Sequence, residues 1–155
     1  MDIEARLDRV ESEAAIRRLA HEYCHGADKR DRRRFADVWA PDGVWVVSDE
    51  QEFAGVDAIC GAVAQQWEWF SQMQHWTSNH VVTFDAQDPD VASGEADVRV
   101  AIHSRDGTWW HGGGTYVDDY IRSEGRWRIS RRRVSGTFAS KGHAPPSPQR
   151  KATDA

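Results

Sequence analysis

Residues 21–25 read HEYCH, which satisfies the H-E-x-x-H pattern of zinc metalloproteases. Histidines four apart share one helix face, and the glutamate beside them serves as base. A catalytic zinc needs a third ligand. The longer form of the motif requires glycine and histidine where Asp28 and Asp31 stand, and a triad of His21, His25 and Asp28 is the remaining variant. The simpler reading makes His21 and His25 a solvated face opposite Ile16, Ala20 and Tyr23, with Cys24 a small apolar residue, and assigns no metal. A second chemistry needs residues farther apart. Tyr23 lies on the apolar side of the same helix, Asp28 follows Gly26, and His75 opens the stretch QHWTSNH. A histidine whose ring accepts orientation from a buried carboxylate has a fixed tautomer and a stabilised cation, so it removes protons from carbon. Asp28 as a solvated turn aspartate, and His75 as a structural strand histidine, are the plain alternatives.

The elements that must position these residues change character along the chain. Ile3, Leu7 and Val10, then Ile16, Leu19, Ala20, Tyr23 and Ala27, recur at helical spacing. Ser12 with Glu13 reads as a cap for a second helical segment, and Gly26 as the end or weak point of that helix. On an ideal helix Asp28 points away from Tyr23, so a loosening at Gly26 is what would bring them together. A short helix is expected from about Arg32 to Trp39, stopped by Pro41-Asp42-Gly43. Residues 44–47 (VWVV) form the first strand candidate, 51–55 its hairpin partner and 56–70 a third helix. The period then changes to strands over 74–85, 94–104, 108–121 and 126–138, with hairpin turns at Arg105-Asp106-Gly107 and Ser123-Glu124-Gly125. His75, Thr77, Asn79 and Val81 would share one strand face, and Arg131–Arg133 would be split across two. His80 and His103 read as structural or surface residues. Trp67, Trp69, Trp109 and Trp110 read as core or interface. Helices first and strands last predict an α+β fold with helices packed on a curved sheet.

The 155 residues suit one domain, taken as 1–143, with a flexible tail over 144–155 that has little to bury. A formal net charge of −5 argues against a nucleic-acid partner. No apolar run reaches the roughly 20 residues of a membrane span, and the acidic amphipathic start does not read as a signal peptide. Two cysteines, Cys24 and Cys60, suit a reducing cytoplasm. Eight tryptophans provide for a core and for an apolar pocket.

Taken in order, AIRRLAHEYCHGADKRD, the tryptophan of VWVV, QHW, GGGTYVDDY and GRWRISRRR cover about residues 10–138. This pattern resembles the SnoaL-like branch of the cone-shaped α+β barrel fold shared with ketosteroid isomerase and nuclear transport factor. Within it, the chain is similar to the hexachlorocyclohexane dehydrochlorinase, bile acid 7α-dehydratase and scytalone dehydratase group. The resemblance implies N-terminal helices on a strongly curved, mostly antiparallel sheet. It also implies a cofactor-free lyase that eliminates water or halide from an apolar cyclic molecule. It assigns the dyad to Asp28 and His75, a helper role to Tyr23, and leaving-group assistance to Arg132, with Arg131 and Arg133 as neighbours in register. It makes Trp45 a pocket residue and puts His111 where the bile acid enzyme carries asparagine. It further implies a homo-oligomer, trimer or dimer. An isomerase, a polyketide cyclase and a non-catalytic ligand carrier are the alternatives on the same fold.

Overall fold

The computed structural model describes residues 2–142; the tail expected over 144–155, and His143, lie outside the described residues. Helix α1 (Ile3–Asp28) is one continuous element of 26 residues. Asp2 caps it by accepting from the Ala5 N–H at 2.8 Å. Ser12 does not cap a second segment: it is buried within α1, where Arg122 donates to its hydroxyl at 3.2 Å. Ile3, Leu7 and Val10 are exposed on the first turns, and the apolar stripe becomes core only from Ile16 onward.

Nor is Gly26 the weak point of α1. It is the contact point with α2 (Arg32–Asp37): a Cβ there would lie 2.6 Å from the Phe35 backbone nitrogen. The missing side chain lets α2 fold back against α1, and the Arg34 guanidinium pairs with Glu22 across the two helices. Pro41-Asp42-Gly43 is not the stop for α2. The helix ends at Asp37, and these residues form an irregular stretch inside β1 (Trp39–Ser48), between its pairings at Trp39 and Val44.

β2 (Gln51–Ala54) returns as a hairpin on β1, and α3 (Val56–Trp69) follows. Four long strands complete the chain: β3 (Phe70–Phe84), β4 (Val91–Ser104), β5 (Trp109–Ser123) and β6 (Arg126–Gly142). The strand order is β2-β1-β6-β5-β4-β3; among the described residues only the β1–β6 pair is parallel. The α+β expectation holds, and the sheet curves around its helices without closing, since β2 and β3 are its edges. Its inner face and the helices bury Ile16, Tyr23, Phe35, Trp39, Trp45 and Ile129.

One strand departs from simple alternation. The β3–β4 register shifts between Ser78 and Val81, and Asn79 takes φ +52°. Asparagine tolerates this left-handed conformation, and its amide donates to Asp97 at 2.8 Å. The extra residue reverses the alternation beyond it. Val81 therefore does not share the face of His75: it is 62% exposed, and His80 turns inward instead.

Candidate active site

Asp28 is the last residue of α1, and His75 lies on the β3 edge beside it. The Nδ1 atom of His75 is 2.5 Å from Asp28 Oδ1, and the His75 backbone N–H donates to Oδ2 at 2.8 Å. Both carboxylate oxygens are therefore spent on one residue, fixing its backbone and its ring together. A carboxylate oxygen accepts, so Nδ1 is the nitrogen of His75 that donates in this pair. The side chains are 13% and 14% exposed. No loosening of α1 is required, because α1 runs along the sheet edge. Trp67 of α3 donates its indole N–H to the Ala27 carbonyl at 2.8 Å, and Arg30, at φ +56°, donates to the carbonyls of Phe70 and Ser71 at 2.8 and 3.2 Å. These contacts lock the end of the helix to the start of β3.

His75 opens onto a cavity of about 270 Å³, whose walls include Trp45, Phe70, Met73, Val98, Ile102 and Tyr116. His75, Val100 and Gly112 are direct cross-strand partners, so they form one inward row. Glycine at the far end of that row leaves the space opposite His75 open. Gly113, on the reverse face, is covered by Phe138: a Cβ there would fall 2.3 Å from the Phe138 ring. On the other side of the dyad, His21, His25 and Lys29 border an open groove, with the two histidines exposed. Among the described residues no group of three or more His, Cys, Asp or Glu side chains is arranged to hold a metal ion. Burial pushes the Cys24 thiol up to about 11, which keeps it protonated and inert.

Tyr23 lines the cavity, with its ring centroid 6.3 Å from that of His75. Burial, opposed by the nearby charge of Arg132, pushes its hydroxyl up to about 12, so it is a neutral donor at ordinary pH. Of the three consecutive arginines only Arg132 points inward; it is 0% exposed, while Arg131 and Arg133 pair with Glu52 and Asp49 at the surface. Arg132 stands behind the cavity wall. Its guanidinium carbon lies 4.3 Å from the Tyr23 ring centroid and 4.0 Å from that of Tyr116. Its Nε and Nη2 donate to the two oxygens of Asp118 at 2.8 and 2.7 Å. Burial alone would lower its pKa, but the Asp118 charge and hydrogen bonds outweigh this and hold it above the ordinary arginine range.

Trp45, expected as a pocket residue, does line the cavity. His111 does not. It pairs with Ala101, one residue out of step with the inward row of Val100 and Gly112, so the pleat turns it to the outer face. Sequence reasoning missed Tyr116, Asp118 and Tyr120. Their signal was the period-two spacing inside GGGTYVDDY, which puts all three on one face. Tyr120 donates to Asp118 Oδ2 at 2.7 Å, and its single proton is thereby used; His80 Nε2, 3.0 Å from the same hydroxyl, is the donor to it.

His80 carries a testable consequence. Burial first, and then the Arg132 charge against that of Asp118, holds its imidazole below the ordinary 6.5. The unfolded chain takes up this proton at about pH 6.5, the folded chain only at lower pH. The stability from the neutral form is therefore complete above about pH 6.5 and is lost as pH falls through the lowered value. Urea midpoints should drop less between pH 7.5 and 5.5 in His80→Gln than in the parent chain; equal drops would exclude His80 as the source.

An open, curved sheet wrapped around a long helix, with a carboxylate-held imidazole in the wall of a cavity, defines an α+β cone fold. The family model of the SnoaL-like domain matches residues 8–133, and the chain belongs to that family. It is 27% identical over 134 residues to the gamma-hexachlorocyclohexane dehydrochlorinase of Sphingobium indicum, covering 85% of each chain. It is 28% identical over 137 residues to hexachlorocyclohexane dehydrochlorinase 1 of the same species, covering 81% of each. Among solved structures it superposes on a type 2 hexachlorocyclohexane dehydrochlorinase (LinA) with a TM-score of 0.84 at 24% identity, covering 92% of this chain and 99% of that one. It also superposes on a Novosphingobium aromaticivorans protein proposed to be a scytalone dehydratase, with a TM-score of 0.80 at 19% identity, covering 89% and 92%. No helix among the described residues is long and apolar enough to cross a membrane.

Proposed function

We propose that this protein is a cofactor-free lyase that eliminates water or halide from an apolar cyclic small molecule. The observation that carries the reading is the double grip of Asp28 on His75, a residue of the cavity wall, and in this reading Nε2 is the base. Nε2 takes a proton from carbon, the C–H electron pair becomes the new double bond, and the leaving group departs from the adjacent carbon with its own pair. Asp28 stabilises the imidazolium that forms. Tyr23 donates to the departing group, with the Arg132 charge beside it favouring negative charge there. A leaving hydroxide recovers the proton from His75 as water; a leaving halide sends it to solvent. The dehydrochlorinases that the chain resembles support elimination over the isomerase and cyclase readings.

Product mass separates these readings. Incubation with a panel of cyclic β-hydroxyketones and cyclic halides should yield a product lighter by one water or one hydrogen halide. Conversion at unchanged mass would replace elimination with isomerisation or cyclisation, and tight binding without conversion would favour a carrier.

A further inference from the structure

The apolar stripe of α3 is broken at one place. Ile59 and Val63 are buried, and Gln66 continues their face one turn further on. A polar side chain therefore stands where an apolar one is expected. It is half-buried and lines the cavity that His75 borders, whereas Gln65 beside it is exposed. Such departures from a local rule concentrate at functional sites. The turn that carries Gln66 is firmly held. Its backbone carbonyl accepts from the Phe70 N–H, Trp67 donates to the Ala27 carbonyl at 2.8 Å, and Arg105 donates to the carbonyls of Trp67 and Glu68. The Gln66 amide itself has no protein partner among the described residues.

Strand register fixes the end of the cavity at which this amide lies. Tyr116 pairs with Ala96, His75 with Val100 and Phe70 with Ser104. His75 therefore stands midway along β4, with Tyr116 toward one end and Phe70 toward the other. Gln66 lies one helical turn before Phe70, on the side of His75 away from the tyrosines. The other polar groups of the cavity are engaged: the Tyr116 hydroxyl with that of Tyr23, and the His75 Nδ1 with Asp28. We infer that Gln66 is a specificity-determining residue whose amide pairs with a hydroxyl or carbonyl group of the ligand, so that the ligand carries a neutral polar group at this end besides the group it loses. The physical reason is the cost of an unpaired amide. Covered by an apolar surface, a carboxamide gives up its water without replacement. Covered by a hydroxyl or carbonyl it keeps a hydrogen bond, because it offers both N–H donors and an acceptor. It has no charge with which to select an ionised group. A site built to pair with a ligand group rejects the analogue that lacks it.

The inference rests on the elimination reading only in taking the cavity as the ligand site, and its test needs no turnover. The probes are trans-1,4-cyclohexanediol and trans-4-methylcyclohexanol, which share a ring and one hydroxyl and differ at the far carbon by hydroxyl against methyl. Affinities are measured by nuclear magnetic resonance titration of the parent chain, Gln66→Leu and Gln66→Met. Both replacements are strong helix formers, so α3 is retained. Each variant should bind the diol about 2- to 10-fold more weakly, the loss of one neutral hydrogen bond. The methyl analogue should bind equally well or more tightly, a divergence that a packing role does not produce. Parallel losses for both probes, or unchanged diol affinity, would overturn the proposal. Binding of neither probe by the parent chain would overturn it together with the cavity as a ligand site. If neither variant folds, the side-chain amide resonances of Gln66 in the parent chain decide: they should move with the diol more than with the methyl analogue, and equal or absent shifts overturn the proposal. Diol selectivity that depends on Gln66, in a protein that converts none of the cyclic hydroxyketones or halides, would keep this residue's role and lose elimination.

Discussion

Replacing His75 by alanine should lower kcat/KM for elimination by about 10²- to 10⁴-fold, the range that a positioned general base contributes. The loss should fall mainly on kcat, because the imidazole acts on the proton in flight rather than on the body of the ligand. Asp28→Asn keeps the shape of the partner but removes its charge. The amide no longer stabilises the imidazolium, and its NH2 group competes to face Nδ1 and impose the wrong tautomer. We therefore expect a loss of similar size. Steady-state kinetics on both variants, with circular dichroism to verify the fold, make the comparison. Activity within threefold of the parent in either folded variant would remove the dyad from the mechanism. The double grip makes the two losses non-additive: once His75 is gone, Asp28 has nothing to orient, and the double variant should be no worse than His75→Ala.

Asp118→Ala should be the most damaging single change to stability. Arg132 is 0% and Asp118 1% exposed, and the pair is joined by two hydrogen bonds. Removing one partner strands a buried charge, which destabilises by about 3–5 kcal/mol. For a chain of this length that corresponds to a fall in melting temperature of roughly 6–20 °C. Arg132 already has one nitrogen, Nη1, buried without an acceptor, so little is left to compensate it. A chain carrying Asp118→Leu with Arg132→Met should regain most of the loss, because apolar groups of similar volume replace a buried pair at little net cost. Melting curves for the three proteins test this. A shift under 3 °C in Asp118→Ala would mean that water or a neighbouring group already solvates Arg132.

Local patterning foretold much of the architecture. Helical spacing located α1 and α3, and the change to period two located the four long strands. The failures have local causes. Gly26 looks like a helix end because glycine lacks a side chain, but that same lack lets Phe35 approach. Pro41-Asp42-Gly43 looks like a turn, but pairing with β6 on either side draws it into an irregular strand. Val81 was assigned to the face of His75 because nothing in SNH announces an extra residue in the ladder.

The candidate site divides along the same line. The residues Asp28, His75, Tyr23, Arg132 and Trp45 were legible through the order and spacing of short stretches that resemble one family. HEYCH, the most conspicuous pattern, left its two histidines on an exposed groove. What the sequence determined by itself was therefore the order of helices and strands; the paired carboxylate and imidazole, and Arg132 or a neighbour, came through its resemblance to one family. Tertiary structure alone decided which inner face those residues share. Asp28 and His75 are 47 positions apart, and Arg132, Asp118, Tyr120 and His80 come from three strands. Contacts of that separation depend on strand register and on the path of α1 across the sheet edge. A single residue of slip, as at the Asn79 bulge, turns a side chain from the cavity to solvent. Register is set by the packing of the whole sheet, so no short stretch of the chain contains it.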